Sequence, residues 1–339
     1  MTRQRGGACL RGAIGEKHAP ELSIVIITYN CREYLAMCLD SIYRHLGGRI
    51  EYEIVIIDND SGDLDGSDPI LSHDNLKFTK LSYNAGFPRA NNIAFGTARG
   101  EYILMLNPDT VLLDAGILDM IRELKSTTDA GIISARVLNR DRSIQESVQD
   151  FPNLHNSAMR TFRLGWSRRH VHPSGLPVRV DSTTGAFMLF PASLLVDVGG
   201  LDEGLFWIED IDFCYRAKLH GMATIYYPQS SVIHYGGQSA KKNANLSLYL
   251  QLTNRSRFFM RHEEKTKARI LFVLTLFAVT MRYGLYCFYF AIDHDTKRLS
   301  VLDDVSGKLL RDWRFYFPNN RHVRSTPAGM AGRKPDCTT

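Results

Sequence analysis

The sequence predicts an α/β fold, a doubly wound and mostly parallel sheet with flanking helices, followed by apolar helices. Three observations predict it. Nearly continuous apolar runs at 23–27, 53–57 and 102–106 read as strands covered on both faces, since a half-exposed strand would alternate apolar with polar residues. Helical stripes fall between them: Leu35, Cys38, Leu39 and Ile42 share one face, and 90–98 forms a second helix ended by Gly100. Each run also ends in a polar turn, at Thr28-Tyr29-Asn30, at 58–63 and at Asn107-Pro108-Asp109. Ligands of open α/β sheets bind beyond such strand ends.

The chain has 339 residues, 44% apolar and 23% charged, which suits one large domain with additions or two domains. The net charge of +5 is modest, but no Asp or Glu occurs from Phe151 to Val180 or from Lys265 to Ile292. Both stretches carry Arg or Lys and are candidate surfaces for anions or a membrane. The six cysteines form no C-x-x-C pair, and residues 1–20 read as a disordered lead-in without the apolar core of a signal peptide. A reducing, cytoplasmic setting is expected. No G-x-G-x-x-G follows the first strand and no P-loop string occurs, which argues against a dinucleotide fold and a P-loop ATPase.

What remains is a nucleotide site built from acids, amides and a metal. Pro108 stiffens the turn after the third run, so Asp109 is suited to hold a hard cation such as Mg2+; a strand-ending Asx turn is the alternative. Asp58 is suited to accept the imide N–H of a pyrimidine, unless 58–63 is only a solvated turn. A weak β-element at 76–81 precedes Asn84-Ala85-Gly86-Phe87, and 132–137 is a further strand.

Beyond it the acid-free stretch reads as a long loop carrying Arg160, Arg163, Arg168, Arg169, Arg179, Phe162, Trp166, His155, His170 and His172. It is either a phosphate-binding loop for an acceptor or a mobile basic loop. A strand at 183–190 follows, then a turn at 199–203 and a helix with Ile211, Tyr215 and Leu219 on one stripe and Gly221 at its end. Asp210 in its first turn reads as a cap, a general base or both. A short strand at 223–227 leads to His234, and 246–264 is a helix. The apolar runs 270–281 and 283–292, split by Arg282, read as a helix pair lying on a membrane or packed on the domain. Twelve residues are too few to span a bilayer, and a central Arg costs about 2.5–3.5 kcal/mol.

Six motifs occur in a familiar order: 23–30, Asp58-Asn59-x-Ser61-x-Asp63, Asn84-x-Gly86-Phe87 followed by Asn92, Leu106-Asn107-Pro108-Asp109, Thr184-Gly185-Ala186, and 200–203 with Glu209-Asp210-x-Asp212. Over roughly 21–262 the chain resembles an inverting nucleotide-sugar glycosyltransferase of family 2, with the GT-A fold, in its rhamnosyltransferase-like branch. The resemblance implies that Thr28, Tyr29 and Asp58 hold the nucleoside, with Asn84, Gly86, Asn92 and Asn107 in the same nucleotide-sugar pocket. It implies Asp109, with His234, as ligands of a divalent metal (Mg2+ or Mn2+), although an amide, Asn107, stands at the first acid of the family's D-x-D. Asp210 takes the catalytic-base position beside Glu209, and Thr184, Gly185, Ala186 and Trp207 border the acceptor.

The resemblance further implies donor transfer from dTDP-rhamnose or a UDP-sugar to a lipid-linked or saccharide acceptor, in the synthesis of cell-wall or O-antigen polysaccharide. The Gln-x-x-Arg-Trp string of processive synthases is absent, which favours single addition. The rivals are a nucleotidyltransferase that makes the activated sugar, and a non-catalytic glycan- or lipid-binding protein. The expected organisation is a GT-A domain at 21–245, nucleotide-sugar half to 137 and acceptor half from 138. A membrane-associating helical region follows at 246–320, then a disordered tail at 321–339. The expected partners are donor, acceptor and the inner face of the cell membrane, with no nucleic acid.

Overall fold

The computed structural model describes residues 19–162, 175–236, 244–262, 264–293 and 296–317. The lead-in through 18, the loop residues Arg163, Trp166, Arg168, Arg169, His170 and His172, and the tail from 321 lie outside the described residues. In chain order the elements are β1 (Leu22–Thr28), α1 (Arg32–Leu46), β2 (Tyr52–Asp58), β3 (Leu76–Lys80), α2 (Phe87–Phe95), β4 (Tyr102–Leu106), β5 (Thr110–Leu112), α3 (Ile117–Ser126) and β6 (Ala130–Leu138). Then come β7 (Val148–Gln149), α4 (Leu154–Phe162), β8 (Val178–Val180), β9 (Ser182–Thr183), β10 (Phe187–Pro191), α5 (Ser193–Val198), α6 (Glu209–Leu219), β11 (Ala223–His234), α7 (Ala244–Arg261), α8 (Lys265–Asp293) and α9 (Thr296–Tyr316). The chain divides into two compact units, one holding 19–151 and 175–236, the other 152–162 and the described residues from 244 onward.

In the first unit a nine-stranded sheet runs β3-β2-β1-β4-β10-β6-β11-β5, with β8 also on β11. β1, β2, β3, β4, β6 and β11 point one way, while β5, β8 and β10 run against them. All seven residues of β1 and all five of β4 are buried, as continuous apolar runs require. Alternation then divides them between two layers. Leu22, Ile24, Ile26, Leu104 and Leu106 pack with Leu35, Cys38 and Ile42 of α1 and Met120 of α3. Val25, Ile27, Ile103 and Met105 pack with Ala90 and Ala94 of α2 and Phe213 and Ala217 of α6. Each such side chain contributes roughly 1.5–3 kcal/mol on burial.

The sheet is mostly parallel, as expected, with β10 lying antiparallel between β4 and β6. Other expectations need correction. Pro108 turns the chain without ending strand structure, since Thr110–Leu112 pairs with β11. The strand read at 223–227 continues to His234 through a register shift between Tyr227 and Ser231, where a bulge accommodates Pro228. The long loop read after β6 contains α4, which belongs to the second unit.

In that second unit, α7, α8 and α9 enclose Phe258, Phe259, Leu271, Phe272, Val305 and Leu309. The Phe272 and Tyr316 rings stack at 4.2 Å. The expected helix pair is instead one helix: α8 runs unbroken through Arg282, whose side chain donates to the Thr161 carbonyl of α4. Its segment Lys265–Leu285 is long and apolar enough to cross a membrane by length and composition, so the twelve-residue limit does not hold.

Candidate active site

Strand register brings the predicted residues to one edge of the sheet. Thr28 pairs with Asp58 across β1 and β2, and Ile26 with Leu106 across β1 and β4. Because β10 is antiparallel, its first residue Phe187 pairs with Leu106, so Thr184, Gly185 and Ala186 fall at the carboxyl ends of the parallel strands. His234 closes β11 opposite Thr110.

Asp58 is fully buried and is no solvated turn residue. Its Oδ2 accepts from the Ser61 amide at 3.2 Å and lies 3.6 Å from Lys80 Nζ, while Oδ1 is buried without a hydrogen-bond partner. A buried carboxylate oxygen of this kind lacks one donor, and an imide N–H is such a donor. The Thr28 carbonyl accepts from the Asn59 amide at 2.8 Å, and Tyr29 is partly exposed beside it. Asn59, to which the sequence reading gave no role, sets the neighbouring loop: Nδ2 donates to Asn84 Oδ1 at 2.9 Å, and Oδ1 accepts from the Ala85 amide at 2.7 Å. Gly86 follows at φ +81, a conformation that favours glycine.

The Asn92 side-chain amide bonds both main-chain groups of Leu201, at 2.9 and 2.8 Å, and so braces the 200–203 turn. A Cβ on Gly200 would stand 2.3 Å from Asn92 Oδ1, so any larger residue would displace the amide that braces this turn.

The Asn107-Pro108-Asp109 turn is closed by the Thr110 amide on the Asn107 carbonyl at 3.1 Å. His234 Nε2 stands 3.2 Å from Asp109 Oδ1 and 3.2 Å from Asn107 Nδ2. Gln145, missed in the sequence, fixes this imidazole. Gln145 Nε2 donates to the His234 carbonyl at 3.1 Å, and a carbonyl only accepts, so the opposite amide end, Oε1, is the atom 2.7 Å from Nδ1. Nδ1 therefore carries the proton, and the Nε2 lone pair faces Asn107 and Asp109. Asn107 Oδ1 is buried without a partner. One carboxylate oxygen, one imidazole lone pair and one orphaned amide oxygen fit a divalent cation that takes its remaining ligands from substrate phosphates. Among the described residues no cluster of three or more His, Cys, Asp or Glu side chains forms, so the amide matters to the set. An open cavity of about 610 Å³, lined by Asn139, Arg140, Asp141, His234 and Tyr235, lies alongside.

Two acids meet at the start of α6. Glu209 is buried with Oε2 unpartnered, and burial, then the charge of Asp210, pushes its carboxyl up to about 8. Asp210 accepts from the Gly185 amide at 2.9 Å and from its neighbour Ile211 at 2.8 Å. Burial raises it to about 6, and those two amides oppose the rise. Asp210 thus loses its proton before Glu209. Trp207, 37% exposed, precedes them at φ +80, a strained conformation for a bulky residue that makes it available beside the acids. Asp212 pairs with Arg216 at 2.7 Å, and Arg216 also bonds the Gly200 carbonyl at 2.8 Å, so this third acid holds the turn.

The Glu209 shift has a sign in stability. Its folded pKa exceeds the ordinary value of 4.5, so its contribution is complete below about pH 4.5 and is lost as pH rises through about 8. Glu209→Gln should therefore flatten the fall in thermal midpoint between about pH 5 and pH 9. A wild-type slope in the variant would contradict a protonated Glu209.

The pattern of Glycosyl transferase family 2 matches residues 23–190. Rhamnosyltransferase WbbL of Escherichia coli (strain K12) is 31% identical over 229 residues, 62% of this chain and 82% of that protein. A poly-beta-1,6-N-acetyl-D-glucosamine synthase of Staphylococcus epidermidis is 27% identical over 218 residues, 62% of this chain, which spans 48% of that relative's length. Among solved structures, mannosyltransferase PcManGT from Pyrobaculum calidifontis, in complex with GDP-Man and Mn2+, superposes with a TM-score of 0.52 at 14% identity, over 88% of this chain and 89% of that one. GalNAc-T7 with UDP, GalNAc and Mn2+ does so with 0.53 at 16% identity, over 72% and 48%. These two likenesses concern the fold, a GT-A glycosyltransferase fold. With 31% identity to a relative it covers by four-fifths, and the family pattern across β1 to β10, this chain belongs to glycosyl transferase family 2.

Proposed function

We propose that the protein transfers one sugar from a nucleotide-sugar donor to an acceptor hydroxyl, with inversion at the anomeric carbon. The observation that carries the reading is the pair of adjacent residues joining Asp210 to the Asn107-Pro108-Asp109 turn: the Gly185 amide donates to Asp210, and the Ala186 carbonyl accepts from Asn107 at 3.1 Å. Asp210 takes the acceptor proton, the freed oxygen attacks the anomeric carbon, and the bond to the nucleoside diphosphate breaks. Glu209 stays protonated and adds no charge beside the anionic donor. Asp58 receives the imide N–H of uracil or thymine. Asp109, His234 and Asn107 would hold Mg2+ or Mn2+, which when bound neutralises charge on the departing diphosphate. Rhamnose from dTDP-rhamnose is the donor supported by the likeness to WbbL, with a UDP-sugar as the alternative. The acceptor is a polyprenyl-diphosphate-linked saccharide of cell-wall or O-antigen assembly.

Asp210→Asn should lower turnover by about 100–10,000-fold while leaving donor affinity unchanged, and Glu209→Gln should do less. The reverse order would move the base to Glu209, and undiminished turnover in EDTA would remove the metal from the reading.

We place the enzyme on the cytoplasmic leaflet. Ile270, Val273, Phe277, Met281 and Leu285 are exposed at helical spacing along α8, while Ala268, Leu271, Phe272 and Val279 bury its other face. A helix with one face packed and one apolar face open suits lying in an interface. Lys267 pairs with Glu264 and Arg269 bonds the Tyr316 carbonyl, which leaves the apolar stripe as the main contact. Phe277→Asp should reduce co-sedimentation with anionic vesicles; equal binding by the variant would make the stripe irrelevant.

A further inference from the structure

Buried charges in this chain commonly have an opposite charge beside them: Glu53 has Lys77 and Arg99, Asp212 has Arg216, and Asp58 has Lys80. Arg255 in α7 has none among the described residues. It is 8% exposed, and its hydrogen bonds are two long ones from Nη1, 3.2 Å to Asn156 Oδ1 and 3.4 Å to Ser157 Oγ, both neutral groups on α4. Arg160, one turn along α4, brings a second positive charge close enough to lower Arg255, after burial, to about 9. Arg282 of α8 meets the end of the same helix at the Thr161 carbonyl. Neither 151–180 nor 265–292 contains an acid that would neutralise the group. Three arginines from three helices of one unit therefore meet α4, and the deepest of them is buried without a counter-ion among the described residues, which is strongly unfavourable unless an anion arrives.

We propose that Arg255 and Arg160 form a binding site for a phosphate or diphosphate group in the helical unit, additional to the crevice of the first unit. A guanidinium fork with unused donors matches phosphate oxygens, and a dianion neutralises two cations where a single carboxylate would not. Asn156 and Arg160 are partly exposed and give the group a route inward. The proposal does not depend on sugar transfer. The phosphate belongs either to a lipid head group or to a soluble diphosphate.

The test uses full-length protein in metal-free buffer with inorganic pyrophosphate as probe. Wild type should show a rising thermal midpoint with pyrophosphate, and Arg255→Met should bind it about tenfold more weakly or worse. Without pyrophosphate the variant should unfold at the same temperature or higher, because an uncompensated buried charge has been removed. Arg160→Gln should weaken the pyrophosphate response. A lower midpoint in Arg255→Met together with an intact pyrophosphate response would make Arg255 a tie between helices and overturn the site. Vesicles of phosphatidylcholine with and without phosphatidic acid separate the sources. A gain in binding from phosphatidic acid that Arg255→Met loses identifies a lipid head group. A gain unchanged in the variant, with the pyrophosphate response lost, identifies a soluble diphosphate.

Discussion

Two consecutive residues, Gly185 and Ala186, hold the candidate crevice together. The Gly185 N–H fixes the Asp210 carboxylate at 2.9 Å, and the Ala186 carbonyl receives the Asn107 N–H at 3.1 Å and the Thr110 hydroxyl at 3.3 Å. The proposed base and the proposed metal turn are therefore positioned by one short piece of main chain, and that piece is positioned by the antiparallel register of β10 against β4. A slip of one residue would turn the β10 side chains to the opposite layers and carry both contacts away. Close packing guards the link, since a Cβ on Gly185 would stand 3.0 Å from the Met105 side chain.

The same arrangement separates the two acids of α6. Both are buried enough to be raised, but Asp210 receives two main-chain amides while Glu209 Oε2 receives nothing. Main-chain hydrogen bonds oppose desolvation at both acids, but Glu209 also feels the charge of Asp210, so one site holds an ionised carboxylate next to a protonated one. At the far side of the crevice, main-chain geometry again sets chemistry: the His234 carbonyl orients Gln145, which fixes the tautomer of the His234 ring.

Much of this was legible in the sequence, for physical reasons. Continuous apolar runs mark strands buried on both faces, and polar turns at their ends locate a crevice, so Thr28, Asp58 and Asp109 were found together. The direction of β10 was not legible, because 187–190 carries an apolar run like those of its parallel neighbours. Strand β5 was hidden behind Pro108, and α4 behind an acid-free composition that resembles a loop. Arg282 looked like a break in an apolar span, yet a helix interior tolerates an arginine whose head reaches a carbonyl on a neighbouring helix. The roles of Gln145, Asn59 and Asn92 rest on partners 89, 25 and 109 residues away, and no local pattern records such pairings.

The central claim is that Asp210 is the ionised member of the pair and works as the base. The pH dependence of kcat tests it most directly, measured for wild type and Glu209→Gln. The account predicts an acid limb in which activity rises through about pH 6, present in both proteins. A limb that vanishes in Glu209→Gln, or activity independent of pH across that region in wild type, would contradict it.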